Sequence, residues 1–154
     1  MSNWYRRIYA DMSAIPECIV FFESELATAR KELDMKGKRL EFISAQLPGL
    51  VEHRFGQLQE IEAILEYLNI QYRKIKTERF KRYLEKYQRE LSSRDADKYA
   101  EGDPSVVDMA ILVNEFALLR NKFLGISKAL DQKAWMIGHI TRLRCAGLDD
   151  ANLD

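Results

Sequence analysis

The clearest chemical signal in this 154-residue sequence is a run of basic and aromatic residues between positions 73 and 89. Eight lysines and arginines stand there against two glutamates, and Phe80, Tyr83 and Tyr87 are interleaved with them. Cations attract the phosphates of a nucleic acid, while aromatic rings stack on unpaired bases. The run therefore predicts an interface for single-stranded nucleic acid, with candidate contacts Arg73, Lys74, Lys76, Arg79, Lys81 and Arg82.

The same run also has a plain structural interpretation. Glu78 lies four residues before Arg82, and Glu85 lies four residues before Arg89. Pairs at this spacing form salt bridges on the surface of a helix, so the run could be an ordinary solvated helix face. Spacing alone favours neither interpretation over the other.

Catalytic and metal-binding patterns are missing from the sequence. The two histidines, His53 and His139, are isolated and have no glutamate three residues before them, so a carboxylate-bridged metal site is not expected. The sequence has no glycine-rich phosphate loop, no nucleophile elbow and no HExxH motif. We therefore predict a non-enzymatic protein with no metal and no cofactor.

The cysteines favour a reducing compartment, and the charges of the chain balance. The formal net charge is zero, because five acids and one lysine between residues 95 and 108 help to balance the basic run. Cys18 and Cys145 lie far apart without a CxxC spacing, which favours a reduced, cytoplasmic protein. No apolar window reaches the length of a membrane span, so no membrane association is predicted.

The basic run must be positioned by helices, because apolar residues recur at steps of three and four. Such a repeat runs from Phe55 to Ile75 and again from Met109 to Leu130. A seven-residue repeat buries best against a second helix of similar length. The predicted fold is all-α: a long antiparallel helical hairpin, similar to a coiled coil, with additional N-terminal helices.

Prolines and glycines indicate where these helices begin and end. We expect a short helix over residues 2–11, a second helix with Ser13 as its N-cap, and a strong break at Pro48 and Gly49. Ser92 is expected to start a short helix that Gly102 ends, and residues 104–147 read as one uninterrupted helix. The predicted domains are an N-terminal helical segment (1–48), the hairpin (49–147) and an acidic tail (148–154).

The end of the last helix resembles a known family. The stretch WMIGHITRLR at residues 135–144, closed by Ala146 and Gly147, is similar to the C-terminal signature of the phage recombination mediator UvsY family. The resemblance extends over about residues 50–147 and is clearest in the last third. Residues 1–48 have no counterpart in it.

The resemblance implies a function for the chain. Members of that family are small helical proteins that form rings, typically heptamers, and bind single-stranded DNA. They help a RecA-like recombinase to displace the single-strand-binding protein in the cytoplasm of the bacterial host. Lys74, Lys76 and Arg79 match the family's DNA-contacting stretch. The resemblance also implies that the last helix is the assembly element, with candidate hairpin or subunit contacts Leu119, Phe123, Ile126, Leu130, Trp135, Ile137 and Ile140.

Two other functions stay open from the sequence. A coiled-coil scaffold or adaptor that never touches DNA would show the same helical repeat. A regulator of an enzyme would form a one-to-one complex in place of a ring. The basic run and the terminal motif are the features that favour the recombination mediator over both.

Overall fold

The described part of the chain is all-α, as the sequence predicts. A computed structural model describes residues 3–86 and 91–148, and in these residues it contains helices and no strand. The helices are α1 (Trp4–Ala10), a 3-10 turn (Met12–Ala14), α2 (Ile15–Glu32), α3 (Leu40–Lys86), α4 (Ser93–Glu101) and α5 (Pro104–Cys145). No helix within these residues is long and apolar enough to span a membrane.

The start of α2 differs from the prediction that Ser13 is its N-cap. Asp11 accepts the backbone N–H of Ser13 at 2.9 Å and its hydroxyl at 2.7 Å. These two bonds close the 3-10 turn, so α2 begins two residues after Ser13, at Ile15, with Pro16 in its first turn. Asp11 acts as the cap in place of Ser13 because its carboxylate accepts both donors at once. After α2, Gly37 takes a φ of +65°, which only glycine adopts without strain.

The predicted break at Pro48 and Gly49 is wrong, because both residues lie inside α3. An interior proline removes one helical hydrogen bond, at a cost of about 3 kcal/mol. Ile43 and Arg54 are both buried on either side of it. These buried residues lie five and six positions from Pro48, and their tertiary packing favours a continuous helix over the local break. The predicted domain boundary between residues 48 and 49 therefore falls inside a helix.

The start of α4 and the course of α5 confirm the sequence prediction. Ser92 caps α4 by accepting the backbone N–H of Asp95 at 3.2 Å, and Gly102 follows its last residue. Asp103 accepts the backbone N–H of Ser105 at 3.0 Å, which caps α5 beside Pro104. The helix then runs unbroken to Cys145, two residues before Gly147. Residues 149–154 of the predicted acidic tail lie outside the described residues.

The chain divides into two compact units, and both α3 and α5 contribute to each of them. Unit 1 comprises Met1–Glu60 and Leu119–Asp154. Its core includes an edge-to-face contact between the rings of Phe22 and Phe123, whose centroids lie 5.7 Å apart. Unit 2 comprises Ile61–Leu118, with Ile61, Leu68 and Phe116 fully buried. The antiparallel hairpin arrangement stays a prediction.

Candidate nucleic-acid interface

The predicted interface lies on the second half of α3, in unit 2, and the helix divides it between two sides. The buried residues Ile61, Ile64 and Leu68 mark the inward side of α3. At 100° per residue, Arg79 falls on this inward side and Lys76 at its edge. Both are half-buried, whereas Arg73, Lys74, Lys81 and Arg82 are exposed. One contiguous run in the sequence therefore becomes two sets of cations with different neighbours.

Lys76 is engaged by the acidic helix α4. Its amino group lies 2.9 Å from a Glu101 carboxylate oxygen and 3.5 Å from one of Asp97. The hydrogen bond to Glu101 raises the pKa of Lys76; burial opposes this effect, and the Asp97 carboxylate adds to it. The charge of Lys76 is thus already balanced within the chain.

Arg79 is engaged at the beginning of α5. Its Nε donates to the Ser105 hydroxyl at 3.1 Å and lies 3.6 Å from the Asp103 carboxylate. The Tyr83 hydroxyl donates to the same carboxylate at 3.1 Å. The hydrogen bond from the Ser105 hydroxyl is the largest cause that lowers the pKa of Asp103, so this carboxylate stays charged. Arg79 and Tyr83 therefore hold the acidic segment in place.

The exposed side of α3 forms a shallow groove along a single helix face. Its lining residues recur on one side of the helix: Ile70, Arg73, Lys74, Thr77, Glu78 and Lys81. Arg73 lies 3.3 Å from Glu66, but both side chains are about two-thirds exposed, so the pair is weak. Lys74 and Lys81 form no ion pair with another residue in the described ranges.

Arg82 lies apart from this groove. Together with Lys86 it borders a smaller depression that also includes Tyr83 and Asp103. Among the described residues the Glu78–Arg82 ion pair expected for an ordinary helix face is not formed. Tyr87 and Arg89, the last members of the predicted run, lie outside the described residues.

The predicted assembly residues on α5 fall into two groups. Leu119, Phe123, Ile126, Leu130, Ile137 and Ile140 are buried within the single chain. These six side chains are used by the chain's own core. Trp135 differs because 62% of it is exposed, and its ring stacks on His139 at a centroid distance of 5.3 Å and an angle of 4°. Trp135 is therefore the predicted contact that is accessible to another subunit.

A buried polar cluster around Arg54 in unit 1 was not predicted from the sequence. The Arg54 guanidinium donates to both oxygens of Glu32, at 2.9 and 2.8 Å, and to Glu25 at 2.7 Å. Gln57 accepts from Arg54 at 2.8 Å and donates to Glu25 at 2.7 Å. Burial raises the pKa of Glu25, but hydrogen bonds from Gln57 and Arg54 outweigh it, so the net pKa is lowered.

The sequence contains one signal that could have located this cluster. Arg54 and Gln57 continue the three-and-four spacing of buried residues that includes Leu58 and Ile61. A cation in an apolar stripe requires carboxylate partners when it is buried. Its partners lie 22 and 29 residues upstream, on α2, so local spacing could not identify them. No group of three potential metal ligands occurs in the parts of the chain that the structure describes.

The chain was compared with protein families, curated proteins and solved structures. No family model, no curated protein and no solved structure matches the chain. The resemblance of residues 135–147 to the UvsY family therefore stays a prediction from the sequence.

Proposed function

We propose that this chain is a non-enzymatic protein that binds single-stranded DNA as a homo-oligomer and helps to load a RecA-like recombinase. The observation behind the proposal is the exposed face of α3, where Lys74 and Lys81 form no ion pair with any described residue. The recombinase and the displaced single-strand-binding protein enter through the UvsY resemblance.

The exposed face has the chemistry that an extended strand requires. Arg73 and Lys81 are eight residues apart, which corresponds to about 12 Å along a helix. Cations spread over this length can contact more than one phosphate of a strand, while the exposed Ile70 offers an apolar surface beside them. A single face of this kind binds weakly. Several copies in one assembly would add their contacts, which raises the overall affinity.

Charge-removing variants of this face test the proposal. We expect Lys74→Gln with Lys81→Gln to weaken binding of an oligonucleotide of about 16 nucleotides by about tenfold at low salt. The slope of log K against log salt should become less negative by about 0.7 for each phosphate that the variant no longer neutralises. Fluorescence anisotropy of a labelled oligonucleotide at several salt concentrations measures both quantities.

Two exposed cations on α4 provide a matched control. Arg94→Gln with Lys98→Gln removes the same charge from unit 2 but leaves α3 intact, so affinity should stay close to that of the unchanged protein. Equal losses of affinity in the two double variants would show only a net-charge effect. Absence of binding at low salt in the unchanged protein would end the proposal.

A second candidate function is a helical scaffold or adaptor without DNA binding. The observation that favours it is the internal pairing of Lys76 and Arg79 with Glu101 and Asp103, which leaves fewer free cations than the sequence suggests. On this alternative, the mass measured by light scattering would be the same with and without oligonucleotide. The Lys74→Gln, Lys81→Gln protein would then keep its biological activity.

A further inference from the structure

A further concave surface lies in unit 1, between the beginning of α3 and the last turn of α5. This groove has a volume of about 770 Å³ and is lined by Arg39, Leu40, Glu41, Ser44, Thr141, Arg144 and Cys145. Its volume is within the range of roughly 300–1,000 Å³ that is usual for small-molecule sites. The fold brings together two segments from opposite ends of the sequence, so no contiguous motif indicates the groove.

The two arginines of the groove have no partners within the described ranges. Arg39 and Arg144 are exposed, and neither guanidinium forms a hydrogen bond or ion pair with another described residue. In contrast, Arg7 and Arg54 each have a carboxylate at 2.7 Å. A free guanidinium presents a planar fork of donors that matches a carboxylate or a phosphate.

The remaining lining residues define which anion the groove suits. The hydroxyls of Ser44 and Thr141 each donate to a carbonyl of their own helix at 2.8 Å. Neither hydroxyl proton is therefore left to bind an anion. Glu41 contributes one negative charge. A carboxylate has two oxygens, which a single guanidinium fork can satisfy. A phosphate has enough oxygens for two forks at once, so a pair of arginines contributed by two segments of the chain favours phosphate.

We propose that this groove is a phosphate-binding site in which Arg39 and Arg144 hold one phosphate group between them. The site does not rest on the proposed function of α3, although the backbone of a DNA strand is one source of such a group. A nucleotide or inorganic phosphate is the other. Glu41 limits the affinity because its carboxylate repels the bound anion.

The groove contains its own chemical reporter. Cys145 is exposed and lines the groove, whereas Cys18 is fully buried. Burial also raises the pKa of Cys18 to about 12, so its thiol stays protonated and unreactive. Alkylation by uncharged iodoacetamide therefore reports on Cys145 alone. A phosphate ligand in the groove should slow this reaction.

The test compares alkylation rates with three probes at equal ionic strength: a single-stranded oligonucleotide of about 16 nucleotides, a nucleoside triphosphate and inorganic phosphate. Each rate is divided by that of the same variant without ligand, which corrects for changes in thiol acidity. We expect at least one probe to slow the reaction several-fold. Protection by the oligonucleotide alone assigns the strand backbone, and protection by the smaller probes assigns a free ligand.

Variants decide whether the arginines are responsible. Arg39→Gln with Arg144→Gln should abolish protection, and Glu41→Gln should strengthen it. Arg6→Gln with Arg30→Gln removes the same charge from exposed sites of unit 1 outside the groove and should leave protection unchanged. The site is overturned if no probe protects Cys145, or if protection survives in the Arg39→Gln, Arg144→Gln protein.

The Lys74→Gln, Lys81→Gln protein separates this proposal from the function proposed for α3. Protection that persists in this variant, together with weakened oligonucleotide binding, supports both sites. Protection that persists in this variant while its affinity for the oligonucleotide is unchanged supports the groove and removes the function proposed for α3. Oligonucleotide protection that depends on Lys74 and Lys81 but not on the two arginines would overturn the groove.

Discussion

Each compact unit of this chain contains a contact between basic and acidic residues, and the two contacts differ in burial and geometry. In unit 1, Arg54 is 2% exposed and binds both oxygens of Glu32 while also reaching Glu25. In unit 2, the side chain of Lys76 is 28% exposed and meets Glu101, which is 56% exposed, through a single short contact. The first contact is enclosed by protein and the second is open to solvent.

This difference separates cations that determine the fold from cations that can exchange partners. A buried charge is costly without its partner, so the Arg54 cluster is committed to its own carboxylates. A half-exposed pair is screened by salt and contributes little, so a competing polyanion can replace one side of it. In the basic run of α3, Lys74 and Lys81 thus form no ion pair with a described residue, whereas Lys76 and Arg79 are held by α4 and by the start of α5.

The largest expected effect is the loss of the buried pair. Arg54→Ala leaves Glu25 and Glu32 partly buried without their cation, which should lower the free energy of unfolding by about 3–5 kcal/mol. Urea denaturation followed by circular dichroism measures this change. Arg79→Ala is the control in unit 2, and its effect should be about 1 kcal/mol or less because Arg79 is 28% exposed and its contact with Asp103 is long, at 3.6 Å. Similar destabilisation in both variants would contradict the comparison.

Much of this architecture follows from local patterns, and the rest depends on partners that are distant in the sequence. The course of α5 and the Ser92 cap were predicted because spacing and capping are local properties. The role of Arg54 was missed because its partners are on another helix. Helical spacing separates Arg79 from Lys74, but it does not show that acids of α4 and of the start of α5 approach Lys76 and Arg79. Pro48 was misjudged because tertiary packing at Ile43 and Arg54, five and six residues away, outweighs the local preference of proline.

Acid should weaken unit 1 through Glu25. The pKa of this carboxyl is lowered in the folded chain, so its contribution to stability is complete above its ordinary value of 4.5 and is lost as the pH falls below it. We expect the midpoint of urea unfolding to decrease below pH 4.5, and Glu25→Gln to reduce that dependence. Glu23→Gln, an exposed neighbour, should leave it unchanged. An identical acid dependence in both variants would show that Glu25 is not the group responsible.

Removal of the acids that hold Lys76 should strengthen DNA binding. The factor should be smaller than that of the loss expected for Lys74→Gln with Lys81→Gln. Asp97→Asn with Glu101→Gln removes both carboxylates that contact Lys76, so its amino group becomes available to phosphates. We expect affinity for the oligonucleotide to rise about threefold at low salt and the difference to shrink as salt is added.

The control for this gain keeps the same net charge. Asp108→Asn with Glu115→Gln removes two exposed acids of unit 2 that form no ion pair with a described residue. A gain of equal size in this control would mean that the acids act through overall charge. Asp103 is left unchanged in both variants, because it caps α5 and its removal would confuse binding with folding.

The smallest change in stability is expected at Trp135. Because most of this side chain is exposed, Trp135→Ala should alter the free energy of unfolding by no more than about 0.5 kcal/mol. If Trp135 is the subunit contact, the same variant should lower the mass measured by light scattering, since an exposed aromatic buries its surface only in the assembly. Leu118→Ala, at an equally exposed apolar residue of α5, is the control and should leave the mass unchanged. An unchanged mass in the Trp135 variant would leave the α5 assembly surface without its one accessible candidate, because the other six predicted contacts are already buried within the chain.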